Sequence, residues 1–233
     1  MPELSPPAPD DADDLQVELS PAEDDIALWV PQSASDGPEA VFGRDPSPPL
    51  VTISLDALQD MIGHGSVETS REVGGVLLGR YGESPLGRIT LLEDIVIANT
   101  AQASLTHVTF THASWAEIHR QIDGRGDGAL IVGWYHTHPG FGPFLSAHDL
   151  FIQSNFFGHP GHVALVLDPV QHLFAVFGWE NGEIVKSAGC RVLARADQAE
   201  ELSQLQKTLS YAVDSPESPL RNLTRRFGQP RRA

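Results

Sequence analysis

His136 and His138 open the stretch of this chain in which residue types and spacing point most directly to chemistry: Gly133-Trp-Tyr-His-Thr-His-Pro-Gly-Phe-Gly-Pro-Phe-Leu-Ser-Ala-His-Asp149. Ala129–Tyr135 reads as a buried strand. Residues i and i+2 at a strand end project from the same face. Two imidazoles leaving a strand together can grip one borderline-soft cation such as Zn²⁺. Pro139 stops the strand, and Gly140–Leu145 has the turn residues to reverse direction. Ser146 is a good helix N-cap, which puts Asp149 in the first turn of the next helix. From there Asp149 can return to the strand end as a third, oxygen ligand. Three protein ligands leave one tetrahedral position open, the arrangement of a catalytic rather than a structural zinc. One zinc per chain is expected.

Such a site also needs a proton carrier. Glu72 begins the apolar strand Glu72-Val-Gly-Gly-Val-Leu-Leu-Gly79, where partial burial can poise a carboxylate. By geometry alone other acidic residues remain open for the role. Trp134, Phe141 and Phe144 divide between core and rim. As rim residues they would supply apolar walls for an extended substrate tail. The glycines of the Glu72 strand lack the lysine of a phosphate loop, so close packing explains them better.

The elements that must position these residues follow from hydrophobic periodicity. Strands are expected at Val51–Leu55, Val73–Leu78, Ile89–Ala98, Thr106–Phe110, Ala129–Tyr135, Val163–Leu167 and Leu173–Phe177. Helices are expected at Asp56–Gly63, at Ser114–Ile122 and from about Ser146. The mixed order predicts a layered α/β or α+β domain. Residues 49–188 form this domain. A C-terminal helix is expected within 189–213, over Leu193–Val213, with Leu202, Leu205, Leu209 and Ala212 on one stripe. Residues 214–233 read as a flexible basic tail.

Residues 1–48 read as a disordered arm. Residues 1–47 carry 12 acidic residues against the single base Arg44, and ten of the chain's 18 prolines fall within 1–49. Such a stretch buries too little apolar surface to offset its ordering entropy. Its apolar island, Ile26–Val30, is either a docking motif or a stray patch. The net charge of −16 over 233 residues argues against nucleic acid and anionic membranes as partners. The one cysteine, Cys190, allows no internal disulfide. No apolar run reaches the roughly 20 residues of a membrane span, and the acidic, proline-rich start is unlike a signal peptide. A cytoplasmic protein is expected. His159 and His162 could form a loop metal site, but nothing acidic or thiol-bearing supports them. Cys190 lacks the pattern of a nucleophile.

His-x-His-Pro-x₆-Ser-x-x-Asp with an upstream Glu resembles the JAMM motif of the MPN-plus (JAB1/MPN/Mov34) metallopeptidases. The run Val132–Asp149 resembles the proteasome-lid deubiquitinase branch most closely, and Glu72–Gly79 resembles the segment bearing that family's catalytic Glu. The likeness covers about residues 50–180. It implies a curved mixed β-sheet with flanking helices, similar to cytidine deaminases. It implies zinc on His136, His138 and Asp149, Glu72 as general acid/base, and Ser146 as a hydrogen-bond donor to the oxyanion. The implied activity is cleavage after the C-terminal glycine of ubiquitin or a ubiquitin-like protein. Implied partners are that modifier, E1- and E2-like conjugation enzymes, or another MPN subunit. Family members that hold ubiquitin strongly often carry a long insertion after the zinc-bearing helix. Here Phe156–Val163 is short, and no second zinc site is visible. Processing of a sulfur-carrier or phage-type protein, and a non-catalytic MPN scaffold, are the alternatives.

Overall fold

The computed structural model describes residues 37–44, 50–84, 87–98, 102–103 and 108–213. The island Ile26–Val30, residues 99–101 and 104–107, and the tail after Asp214 lie outside the described residues. In chain order the strands are Glu39–Gly43 (β1), Leu50–Ser54 (β2), Gly74–Ser84 (β3), Gly87–Ile97 (β4), Gln102–Ala103 (β5), Val108–Thr109 (β6), Leu130–Thr137 (β7), Val163–Asp168 (β8), Leu173–Glu180 (β9), Glu183–Lys186 (β10), Gly189–Leu193 (β11) and Ser210–Tyr211 (β12). The helices are Leu55–Val67 (α1), His112–Asp123 (α2), Ala147–Phe156 (α3) and Ala199–Thr208 (α4). The expected mixed α/β architecture is present: one mixed sheet in the order β1-β11-β2-β4-β3-β7-β8-β9-β10, with β12 added on β9. β7 and β8 run parallel. Parallel neighbours need a crossover, and α3 supplies it.

The sheet curls until its ends meet. The Phe42 ring of β1 packs edge-on against Phe174 of β9 at 5.5 Å, and Tyr211 of β12 packs on the same ring at 5.1 Å. The Tyr211 hydroxyl accepts from the Val176 amide at 3.1 Å and donates to the Ser187 carbonyl at 2.9 Å. Inside the curl lies one apolar core running from Ile53 and Leu58 through Leu77 and Val132 to Leu165 and Val176.

Two boundaries differ from the sequence reading. Glu39–Gly43, placed within the arm, is a strand paired with Gly189–Leu193, and it buries Ala40 and Phe42. Gly189–Leu193 in turn is a sheet strand, parallel to β2, so the terminal helix shrinks to Ala199–Thr208. Each of these five-residue strands exists because of a partner far away in sequence, which outweighs the local acidic or helix-like composition.

Close approach explains the glycine pair of β3. A Cβ on Gly74 would lie 2.4 Å from the Tyr135 carbonyl oxygen, and one on Gly75 would lie 2.2 Å from that of Val96. β3 can therefore sit tightly between β4 and β7, which brings Glu72 to the end of β7.

Candidate metal centre

The two-residue period of β7 sorts its side chains. Trp134 faces the helical layer of α2 and α3, with Phe110 at 6.0 Å and Phe157 stacked at 6.0 Å. His136 follows on that face, its ring stacked on Trp134 at 4.5 Å and 10°. Tyr135 and Thr137 point the other way, to α1: the Tyr135 hydroxyl lies 2.9 Å from His64 Nδ1. A Cβ on Gly65 would come within 2.8 Å of the Thr137 methyl. His138, one step past the strand, returns to the His136 face. The two Nε2 atoms are 3.0 Å apart.

Ser146 caps α3 as expected. Its Oγ accepts from the Asp149 amide at 3.2 Å, while Asp149 Oδ2 accepts from the Ser146 amide at 2.6 Å. This reciprocal capping box satisfies two helix-end donors and fixes the Asp149 rotamer. Asp149 Oδ1 then lies 3.5 Å from His136 Nε2, and Oδ2 lies 3.7 Å from His138 Nε2. Glu72 Oε1 approaches His138 Nε2 at 3.5 Å from the other side. Thr137 holds Glu72 there through its neighbour: the Val73 amide donates to Thr137 Oγ1 at 3.0 Å, and the Thr137 amide donates to the Val73 carbonyl at 2.9 Å.

All four side chains are buried, Glu72 the most exposed at 4%. Burial pushes the Glu72 carboxyl up to about 7; His138 opposes the rise and Asp149 adds to it. Burial would also raise Asp149, but His136, His138 and Ser146 hold its carboxyl far below the usual range. Burial lowers His136. It would lower His138 too, but Asp149, Glu72 and the Gly142 carbonyl together keep that imidazole above its ordinary value. The cluster therefore contains one firmly ionised carboxylate and one poised near neutrality.

The donor set fits a metal ion. Glu72 Oε2, Asp149 Oδ1 and His136 Nδ1 are buried and find no hydrogen-bond partner among the described residues. Buried polar atoms are seldom left so. A cation between the facing Nε2 atoms would satisfy the carboxylate oxygens and remove the close approach of the two imidazoles. Glu72, His136 and His138 offer ligand atoms all within 4.8 Å of one another. Asp149 reaches both histidines as well, through Oδ1 at 3.5 Å from His136 and Oδ2 at 3.7 Å from His138.

Of the three aromatic residues expected to serve both core and rim, Trp134 has no place on the rim. It is fully buried, and its Nε1 donates to Gln153 Oε1 at 2.8 Å. Strand alternation, which put His136 on the site face, also put Trp134 behind it. Phe141 is 68% exposed, and Phe144 lies with its ring 4.5 Å from that of His138. Sequence reasoning missed Gln153, Thr137 and Asp168. Gln153 could have been found from its i+4 relation to Asp149 on α3. Its amide also donates to the Phe157 and His162 carbonyls at 3.2 and 3.4 Å. Cys190 is buried and its thiol is pushed up by that burial, which rules against a nucleophile. His159 and His162 do come together, at 5.3 Å, beside Tyr81.

A curled mixed sheet thus places paired imidazoles and two carboxylates together at one strand end, as a candidate metal centre. Residues 46–157 match the family described as JAB1/Mov34/MPN/PAD-1 ubiquitin protease, and this segment is that of a JAMM/MPN family member. It is similar to the ubiquitin carboxyl-terminal hydrolase RPN11 of Saccharomyces cerevisiae, with 31% identity over 130 residues, covering 55% of this chain and 42% of that protein. It is also similar to the 26S proteasome non-ATPase regulatory subunit 14 of Drosophila melanogaster, with 30% identity over 122 residues, 52% of this chain and 39% of that one. An uncharacterized protein of Caenorhabditis elegans, F37A4.5, is 34% identical over 125 residues, 52% of this chain and 37% of that one. The chain thus spans about two fifths of the length of the relatives it matches. Among the described residues no helix is long and apolar enough to cross a membrane.

Proposed function

We propose that this chain is a zinc-dependent isopeptidase that cleaves after the C-terminal glycine of a ubiquitin-like protein. The observation that carries the reading is the convergence of His136, His138, Asp149 and Glu72 in a buried site with unmet carboxylate oxygens. The names of the relatives, a ubiquitin carboxyl-terminal hydrolase and proteasome subunits, support the substrate class.

His136, His138 and Asp149 would hold the metal. Asp149 is chosen over Glu72 because it lies within 3.7 Å of both imidazoles and stays ionised, whereas Glu72 makes its close approach to His138 and holds its proton more readily. Bound zinc supplies Lewis acidity toward the scissile carbonyl. Glu72, poised near neutrality, takes a proton from the attacking water and passes it to the leaving amine as the amide C–N bond breaks. The products are a C-terminal carboxylate and a free amine. Ser146 Oγ accepts from the Asp149 amide, and its hydroxyl would donate to the carbonyl oxygen as charge develops there. Phe144, packed against the His138 ring, and the exposed Phe141 of the same loop would give an extended Gly-Gly tail an apolar wall. A second MPN subunit is the proposed assembly partner.

The test measures zinc per chain and turnover of a Gly-Gly-linked ubiquitin isopeptide on one sample. One zinc per chain with turnover is expected. Protein that is zinc-replete yet cleaves no ubiquitin-like conjugate would remove the substrate assignment. Protein that binds no zinc would remove the metal.

A further inference from the structure

Asp168 ends β8 beside the last residues of β7, where the His138 amide donates to the Leu167 carbonyl at 2.9 Å. Its carboxylate is fully buried and accepts four backbone N–H groups. Oδ1 accepts from Val170 at 2.9 Å, Gln171 at 3.0 Å and Gly140 at 2.9 Å; Oδ2 accepts from Gly142 at 2.7 Å. The first two bonds close its own turn and would suffice for a turn. The other two reach back 28 and 26 residues, into the loop that follows His138. That loop is shaped to meet them: Gly140 and Gly142 adopt φ +83° and +76°, a region glycine enters without penalty. Gln171 Nε2 adds a bond to the Gly140 carbonyl at 2.8 Å. The shortest of the four carboxylate bonds goes to Gly142, whose own carbonyl faces His138 Nδ1 at 3.3 Å.

We propose that Asp168 is a positioning residue that fixes the His138 tautomer through Gly142. With Gly142 held, its carbonyl accepts from Nδ1–H. The Nε2 lone pair then faces His136, Asp149 and Glu72, as a metal ligand requires. The value of this for catalysis rests on the zinc reading above; the tautomer itself does not.

Asp168→Asn separates the bonds. An amide has one acceptor oxygen. Placed at Oδ1 it keeps three bonds, and its NH₂ then faces the Gly142 N–H, donor against donor. The variant therefore cuts the link to Gly142 while sparing the turn. Two measurements on the full chain read the outcome. One is ¹⁵N NMR of the His138 ring at alkaline pH, with the protein as purified and after chelator treatment. The other is zinc affinity by competition with a chromogenic chelator. Wild type should show His138 protonated at Nδ1. Asp168→Asn should show both tautomers and bind zinc about 10–100-fold more weakly, the usual loss when a partner behind a ligand is removed. Gln171→Ala, which leaves Gly142 tethered, should show neither change. A wild-type ring protonated at Nε2 overturns the proposal without any variant, so a misfolded Asp168→Asn does not shelter it. Folded Asp168→Asn with wild-type tautomer and zinc affinity overturns it too. Wild type that binds no zinc but carries the Nδ1–H tautomer refutes the metal reading and leaves the positioning role standing.

Discussion

Among the described residues two histidine pairs sit in similar aromatic surroundings, and only one has carboxylates beside it. His136 and His138 have ring centroids 4.7 Å apart, with Trp134 stacked on the first and Phe144 tilted at 54° against the second. His159 and His162 are 5.3 Å apart, with Tyr81 at 4.3 Å from the first and Phe157 at 6.0 Å from the second. The difference is charge. The first pair has Asp149 and Glu72 within 3.7 Å. The second has Arg88 as its charged neighbour, whose guanidinium adds to the effect of burial in lowering His159. His159 Nδ1 accepts from the Gly161 amide at 2.9 Å, so it is already spent on its own loop. Paired imidazoles are thus weak evidence for a metal. Carboxylates that keep the ring lone pairs aimed at a shared point make the distinction.

The largest effect that can break this contrast is on metal content. His136→Ala/His138→Ala should take zinc from one per chain to near zero and activity with it. His159→Ala/His162→Ala should keep full zinc in whatever fraction folds. Metal analysis of both, side by side, decides the matter; equal zinc in the two would erase the distinction.

Next is Glu72→Gln, which preserves shape but removes the proton carrier. Turnover should fall about 10²–10⁴-fold, the usual worth of general acid–base help, with zinc per chain unchanged. Zinc loss in this variant would make Glu72 a ligand and demote Asp149. Ser146→Ala should cost about 10²–10³ in kcat as an oxyanion donor and about 1 kcal/mol of stability as a helix cap. Because the same cap orients Asp149, zinc content must be read in that sample. A kcat loss that tracks zinc loss would assign Ser146 to positioning alone.

The smallest effect sharpens the other corner. Burial, with His159 adding to it, lowers the His162 imidazole to about 4. The unfolded chain takes up this proton near the ordinary 6.5, the folded chain only near 4. Stability is therefore full above 6.5 and drains away as pH falls toward 4. At about 1.4 kcal/mol per unit, the span is worth on the order of 3 kcal/mol. Denaturant titrations across this range should show the slope, and His162→Leu should flatten it. An unchanged slope would mean that the acid sensitivity comes from elsewhere.

The site was legible because its geometry is local. A strand period, a proline stop and a capping serine suffice to bring His136, His138 and Asp149 together over 14 residues. What the sequence hid depends on long-range partners. Nothing in Glu39-Ala-Val-Phe-Gly43 announces a sheet strand amid acids and prolines, since its partner begins at Gly189. Gly189-Cys-Arg-Val-Leu193 adjoins a helical stripe, and its own partners lie far away at Glu39–Gly43 and Leu50–Ser54. Trp134 was placed partly on the rim because an aromatic beside a site has two readings until the facing helix is known. Asp168 left one signal, an Asp-Pro step after a strand, which speaks of a turn and not of a loop 26 residues upstream.

The pairing of β1 with β11 also sets an order of assembly on the ribosome. Glu39 sits opposite Leu193, so the first strand of the sheet is made long before its mate. Synthesis at about 5–20 residues per second leaves Ala40 and Phe42 without a partner for roughly 10–30 s. The metal-site corner has no such wait beyond β8, because Glu72, β7 and α3 precede it. The nascent chain can therefore hold the two histidines and two carboxylates of the candidate metal centre nearly assembled while its sheet is still open along the β1 seam. Sites that join distant segments close late, and here the late event is the seam rather than the centre.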